Sequence, residues 1–142
     1  MARISKEELL QRIFKKDFEN LKGKTLRMTR LRIPSKEVCM AHILTPTDYS
    51  VYRNLGLDTG THEGEDHTGE SIGLLSVTPW ESVIIAADTA MKSGNIEIGF
   101  MDRFDGELII TGELAEVKSA ITKTVEFFKE ELGFEICEVF EN

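Results

Sequence analysis

The side chains best suited to chemistry in this sequence lie between residues 62 and 67. This segment begins with His62, ends with His67 and holds three carboxylates between them. Imidazole and carboxylate groups bind zinc and other divalent ions. Their spacing matches no established metal motif, and Gly64 disfavours a rigid site. The segment therefore predicts a solvated acidic loop, with a small metal- or metabolite-binding protein that uses the His62–His67 loop as the alternative.

The remaining nucleophilic or basic candidates occur singly. His42 lies in an apolar segment and is typical of a core or interface histidine. Cys39 and Cys137 predict a reduced pair, because two cysteines do not make a disulfide framework. The sequence has no Gly-rich phosphate loop, no nucleophile elbow and no C-x-x-C motif. It therefore predicts no catalytic residues, no bound metal and no cofactor, and the protein is not expected to be an enzyme.

The 142-residue chain carries its charges unevenly. Residues 1–37 hold 11 Lys and Arg against 5 Asp and Glu, whereas residues 38–142 hold 6 against 20. The acidic body opposes binding to the phosphate backbone of nucleic acid. The basic arm leaves two alternatives, an external polyanion or the protein's own acidic body.

Length and apolar patterning predict one soluble domain. A chain of this size fits one compact domain with its own core. No apolar run approaches the roughly 20 residues of a membrane span, and the polar residues 1–8 do not make a secretory signal. We therefore expect neither a membrane nor a nucleic acid as a partner, and a reducing cytosol as the location.

Hydrophobic periodicity predicts the elements that position these residues. The N-terminal half is expected to contain an amphipathic helix at 5–21, strands at 25–33 and 38–44, a short helix at 46–55 and a polar loop at 58–71. The C-terminal half is expected to contain a strand at 72–78, a helix at 79–93, strands at 96–101 and 107–111 joined by a turn at 102–106, a helix at 113–132 and a strand at 134–140. This order predicts an α+β fold with a ferredoxin-like sheet.

Two motifs carry a resemblance to a known family. One is I-I-A-A-D at residues 84–88, and the other is I-G-F-x-D-R-F-x-G at residues 98–106. Together with residues 72–79 and 38–44, they resemble the circularly permuted shell proteins of bacterial microcompartments that serve propanediol, ethanolamine or choline utilisation. The resemblance covers roughly residues 25–140, so the fold is expected to be the permuted BMC fold.

The resemblance implies a structural shell subunit in a cytoplasmic microcompartment. It divides the chain into an N-terminal helical extension at 1–24 and a permuted shell domain at 25–142. Family members form cyclic homohexamers in which the turn between the central strands faces the sixfold axis. The pore-lining residues implied here are Arg103, Phe104, Asp105 and Gly106. A ring of Asp105 carboxylates would favour cations, and the flanking Arg103 would reverse that preference.

The resemblance also implies contacts for the N-terminal half and the helix at 79–93. Residues 25–36 correspond to a strand that forms a β-barrel over the pore, with Leu26, Met28 and Leu31 as its interior residues. Lys92 corresponds to a residue that contacts the neighbouring hexamer, although the usual partner arginine is replaced by the segment 45–47. Residues 5–21 resemble the segments that tether encapsulated enzymes, or alternatively pack on their own hexamer. The expected partners are therefore other copies, other shell proteins and, through residues 5–21, encapsulated enzymes.

Overall fold

The structure is a computed structural model that describes residues 35–57 and 66–142. The predicted helix at 5–21, the predicted strand at 25–33 and the barrel residues Leu26, Met28 and Leu31 lie outside the described residues. So does most of the polar loop predicted at 58–71. Within the described part, no helix is long and apolar enough to cross a membrane.

Three helices and six strands occur in the described residues. The helices are α1 (Tyr49–Leu55), α2 (Ser82–Ser93) and α3 (Leu114–Glu130). The strands are β1 (Glu37–Leu44), β2 (Ser71–Thr78), β3 (Ile96–Asp102), β4 (Glu107–Gly112), β5 (Glu135–Ile136) and β6 (Phe140–Glu141). The sheet order is β3-β4-β2-β1-β5, and β6 also pairs with β1.

The short helix α1 shows how local sequence sets an element's ends. Asp48 has an extended backbone and accepts a hydrogen bond from the backbone N–H of Ser50 at 2.8 Å, which makes it the N-cap. Gly56 ends the helix in the left-handed conformation, where its N–H bonds back to the last turn. The helix therefore begins at Tyr49 rather than at residue 46, the start predicted from the sequence.

Two predicted elements differ from the observed ones. The helix expected from Pro79 begins at Ser82. The backbone N–H groups of residues 82, 83 and 84 each donate to the carbonyl oxygen three residues earlier, so residues 79–84 first form short-range turns. The single strand expected at 134–140 is instead the two short strands β5 and β6. Both pair with β1 in the same parallel register, and pairing is interrupted opposite residues 39–41. A bulge at Cys39 distorts β1 there, which accounts for the interruption.

The two faces of the sheet are covered differently. Both α2 and α3 pack on one face, and the main core lies between them and the sheet. It includes Leu75 and Val77 of β2, Val83 of α2 and Ile121 of α3. On the opposite face, the described residues form a smaller cluster, in which Tyr52 and Leu57 pack on Ile72. Among the described residues, the face that α2 and α3 cover therefore carries the larger core.

Gly73 in β2 allows α3 to approach the sheet closely. A Cβ atom at this position would lie 2.7 Å from the side chain of Ile110 and 3.0 Å from the side chains of Val117 and Ile121. All three neighbours are fully buried, so they have little room to move. The absence of a side chain at Gly73 therefore sets the distance between α3 and the sheet.

We predict that Gly73→Ala lowers the free energy of unfolding by about 1–3 kcal/mol, because the added methyl group overpacks the core. Urea denaturation at a fixed protomer concentration measures the change. The matched control is Ser76→Ala in the same strand, which adds no volume and should stay within about 0.5 kcal/mol of the parent. Equal stability of Gly73→Ala and the parent would show that α3 does not need this close approach.

Candidate functional site

The turn between β3 and β4 is held by its own backbone and by one carboxylate. Oδ1 of Asp102 accepts hydrogen bonds from the backbone N–H of Phe104 at 2.7 Å and of Asp105 at 3.3 Å. The N–H of Gly106 donates to the carbonyl oxygen of Asp102 at 3.0 Å. These bonds fix the turn conformation without any contribution from the side chains of residues 103–105.

Gly106 is required by both its conformation and its surroundings. Its φ is +80°, in the left-handed region that favours glycine. A Cβ atom here would lie 2.3 Å from the carbonyl oxygen of Val77, and the N–H of Val77 donates to the carbonyl oxygen of Gly106 at 2.9 Å. Gly106 is thus buried against β2, and its part in the turn is to set the backbone direction.

The tip of the turn displays three chemically different side chains. Phe104 is 71% exposed, the highest value among the large hydrophobic residues described. The guanidinium carbon of Arg103 lies 5.1 Å from the centre of the Phe104 ring, which is a cation–π distance. Asp105 is exposed beside them. An exposed aromatic ring between a cation and an anion is a surface suited to contacts with solutes or with other copies of the turn.

The outer surface of α2 combines apolar residues with an ion pair. Nζ of Lys92 lies 2.5 Å from Oδ2 of Asp88 one turn earlier, and both side chains are largely exposed. Ile84, Ile85 and Met91 are exposed on the same helix. Lys92, the predicted hexamer-edge residue, is therefore at the surface and is held by Asp88 in the single chain.

His42 and the two cysteines lie along the strand β1 and its neighbours. Nε2 of His42 is hydrogen-bonded to Oδ1 of Asn142, and its ring centre lies 6.2 Å from that of Phe140. Cys39, in the bulge, has its sulfur 3.4 Å from the hydroxyl of Thr78. Cys137 packs against the helix-covered core. Both cysteines are free thiols; Cys39 lies in β1, and Cys137 directly follows β5, which pairs with β1.

Burial controls the acidity of both thiols. Loss of solvent contact raises the pKa of Cys39, the Thr78 hydroxyl opposes the rise, and the nearby Glu37 carboxylate adds to it. Loss of solvent contact also raises the pKa of Cys137. Both side chains are therefore thiols rather than thiolates at neutral pH, which makes them poor nucleophiles and poor metal ligands.

His67 is the one imidazole whose environment differs from the sequence prediction. A solvated loop was expected at residues 62–67, whereas His67 is only 1% exposed. Its Nδ1 lies 3.1 Å from Oε2 of Glu70 and 3.3 Å from the hydroxyl of Thr111, and its Nε2 lies 3.4 Å from Oε2 of Glu97. The prediction was wrong for His67 because the backbone after α1 turns this ring inward. His62 lies outside the described residues.

The partners of His67 were not identified from the sequence, because they come from distant strands. Glu97 in β3 pairs directly with Thr111 in β4, so both side chains project from the same face of the sheet. The alternation of residue types in β3 and β4 indicates which side chains share a face of the sheet. It does not indicate that His67, from the preceding loop, contacts Glu97 and Thr111. Within the described residues, no group of three or more His, Cys, Asp or Glu side chains is arranged to hold a metal ion.

Comparison with known proteins identifies similar chains. The model of the BMC domain family matches residues 71–138. Bacterial microcompartment shell protein CutR of Streptococcus intermedius is 39% identical over 112 residues, which cover 79% of this chain and 89% of CutR. Bacterial microcompartment shell protein PduU of Salmonella typhimurium is 35% identical over 115 residues, which cover 81% of this chain and 92% of PduU.

A solved structure shares the fold. The CutR flat hexamer, form 1, matches with a TM-score of 0.68 and 32% sequence identity. The match covers 82% of this chain and the whole of that chain. The architecture built from residues 35–57 and 66–142 is therefore one that occurs in a hexameric assembly.

We predict that both cysteines react more slowly with iodoacetamide in the folded chain than in urea. The raised pKa values leave less thiolate at any pH below them, so the reaction rate of the folded protein should reach half its maximum at a pH above the ordinary thiol pKa of 9.0. Mass spectrometry of the alkylated peptides, measured across pH, separates Cys39 from Cys137. A thiol that reacts faster in the folded chain than in urea would contradict the expected protection.

Proposed function

Because this chain belongs to the bacterial microcompartment shell proteins, we propose that it forms a cyclic homohexamer with the turn at 103–106 around the central pore. The chain is a shell subunit, and its place is the microcompartment shell. The observation that carries the hexamer is its likeness to CutR, for which flat hexamers are among the solved forms, beside screw forms. Proteins of this kind are structural, and we propose that the present one has no catalytic role.

Exposed apolar surface supports an assembly of several copies. Phe100 and Met101 in β3 are 48% and 43% exposed, and Ile84 in α2 is 55% exposed. Clustered apolar side chains at a surface are typical of sites that bind another protein. A cyclic hexamer brings two different surfaces of each chain into contact, as required when identical subunits close into a ring.

The turn at 103–106 supports a role at the axis. Its tip is exposed while its backbone is fixed by Asp102 and Gly106, so six copies would present six equivalent sets of side chains. Six Asp105 carboxylates would attract cations to the opening, as in charged pore rings. Six Arg103 guanidinium groups would attract anions, and the rotamers adopted in the ring decide which charge lies nearer the axis.

We further propose that residues 25–36 form the axial barrel that covers the pore. The support comes from the sequence, in which Leu26 and Met28 alternate with polar residues and Leu31 resumes the pattern. In a small barrel, residues that alternate along each strand fill the interior. A filled barrel would close the central opening to solutes.

Contacts beyond the hexamer form the last part of the proposal. Lys92 would leave Asp88 to contact a neighbouring hexamer, since an exposed ion pair of this kind is weak. Other shell proteins are its expected neighbours. The amphipathic residues 5–21 would bind an encapsulated enzyme or pack on their own hexamer.

Size-exclusion chromatography with light scattering should give about six times the chain mass of 16.0 kDa for the full-length protein. The measurement should be repeated at high salt, which weakens exposed charge contacts but not buried apolar ones. A stable monomer or dimer in this measurement would reject the hexamer. A monomer would instead favour the alternative of a small ligand-binding protein.

Cross-linking tests the barrel separately. If residues 25–36 surround the axis, Met28→Cys should give cross-linked dimers in high yield with a short bifunctional thiol reagent, because its copies lie close together and each introduced thiol can join one neighbour. The parent chain, which has only Cys39 and Cys137, is the matched control. A hexamer in which Met28→Cys cross-links no more than the parent would exclude the barrel and leave the hexamer intact.

A further inference from the structure

The buried ring of His67 is held in place by backbone hydrogen bonds on both sides. The backbone N–H of His67 donates to the carbonyl oxygen of Leu57 at 2.9 Å, and the backbone carbonyl oxygen of His67 accepts from the N–H of Glu70 at 3.1 Å. The hydroxyl of Tyr52 donates to the carbonyl oxygen of Glu70 at 2.8 Å. The position of the imidazole is therefore set before any ligand binds.

The Nδ1 side of this ring has suitable partners. A carboxylate only accepts hydrogen bonds, so the contact of Nδ1 with Oε2 of Glu70 requires that Nδ1 carry the proton. The hydroxyl of Thr111 lies at 3.3 Å from the same nitrogen. In the neutral ring, this arrangement leaves Nε2 with a lone pair and no proton.

The Nε2 side lacks a hydrogen-bond partner. Nε2 of His67 is buried and has no donor within reach among the described residues. The group that faces it is Oε2 of Glu97, 3.4 Å away, which is also an acceptor. Two lone pairs directed at each other are unfavourable unless a proton or a metal ion lies between them.

We propose that His67 Nε2 and Glu97 form a binding site for a divalent transition-metal ion of the zinc class. Two ligand atoms bound about 2.1 Å from a tetrahedral zinc ion lie roughly 3.4 Å apart, and this is the separation of Nε2 and Oε2 here. Glu70 supplies the carboxylate on the second ring nitrogen that commonly orients a metal-binding histidine. The site combines a nitrogen and an oxygen ligand, which zinc accepts readily.

The surroundings of the site allow a metal ion to enter. The side chain of Glu97 is 45% exposed, so solvent reaches the carboxylate although the imidazole is buried. Glu97 lies on β3, and within the described residues β3 pairs only with β4, which places the carboxylate at an edge of the sheet. Water molecules would occupy the remaining coordination positions, as they do in open zinc sites. The bound ion would cross-link the segment after α1 to β3.

This site is independent of the pore. The turn residues 103–106 lie at the other end of β3, and Glu97 is close to the start of that strand. A hexamer without the metal and a metal-binding chain without a closed pore are both compatible with the fold. The two proposals are therefore tested by different measurements.

The test is zinc binding by the full-length hexamer after removal of any affinity tag. Equilibrium dialysis with zinc chloride, followed by metal analysis, should give one zinc per chain. His67→Ala and Glu97→Gln should each abolish this binding, and Glu70→Gln should weaken it by about 10–100-fold through the orientation of the ring. Cobalt(II) in place of zinc should give the visible absorption of a tetrahedral site in the parent only.

His42→Ala is the matched control, because His42 is a partly exposed imidazole bonded to Asn142 and away from the site. It should retain one zinc per chain. Circular dichroism and size-exclusion chromatography establish that each variant is folded and assembled, and Glu97→Gln keeps the test valid if loss of the buried His67 prevents folding. Absence of zinc from the parent, or zinc binding unchanged by both His67→Ala and Glu97→Gln, would overturn the proposal. If His67 instead carries a proton on both ring nitrogens and donates to Glu70 and Glu97, the parent protein will bind no zinc, and this result would overturn the proposal.

Discussion

The close packing of α3 on β2 is the interaction on which the rest of the structure depends. With Gly73 between Ile110, Val117 and Ile121, the helix approaches the sheet at a distance that no other residue would allow. This contact, with α2 beside it, creates one dense core on one face of the sheet. Among the described residues, contacts with other molecules are consequently left to the outer side of α2, the strand edges and the turns.

The separation of the core from the contact surfaces explains where exposed apolar side chains occur. Residues such as Phe100, Met101 and Phe104 would be costly in an isolated soluble chain, because they expose apolar area to water. In the proposed hexamer they would be contact residues, and the core does not depend on them. The small cluster around Tyr52, Leu57 and Ile72 has a different role, since it fixes the segment that carries His67.

The fold was largely predictable from the sequence because its determinants are local. The capping of α1 by Asp48 and Gly56 and the turn at Gly106 follow from individual residue types. The order of strands and helices after residue 71 follows from hydrophobic periodicity, and the family motifs at residues 84–88 and 98–106 indicated the architecture. The split into β5 and β6 was not predictable, because it depends on a bulge in the partner strand β1.

The candidate site was predictable only in part, for a related reason. The exposed tip of the turn is a property of a short segment, so Arg103, Phe104 and Asp105 could be singled out from sequence. The cluster of His67 with Glu70, Glu97 and Thr111 joins three separate parts of the chain. Its burial follows from the tertiary fold, and no spacing along the sequence indicates it.

The way in which the turn at 103–106 is built has an evolutionary consequence. Its backbone is specified by Asp102 and Gly106, and the side chains of residues 103–105 take no part in the hydrogen bonds that hold it. Mutations at these three positions are therefore nearly neutral for folding, while each one changes the charge, size or polarity that the turn displays. Descendants of one gene can in this way display different side chains at the tip of this turn through changes at three codons, with the scaffold inherited unchanged.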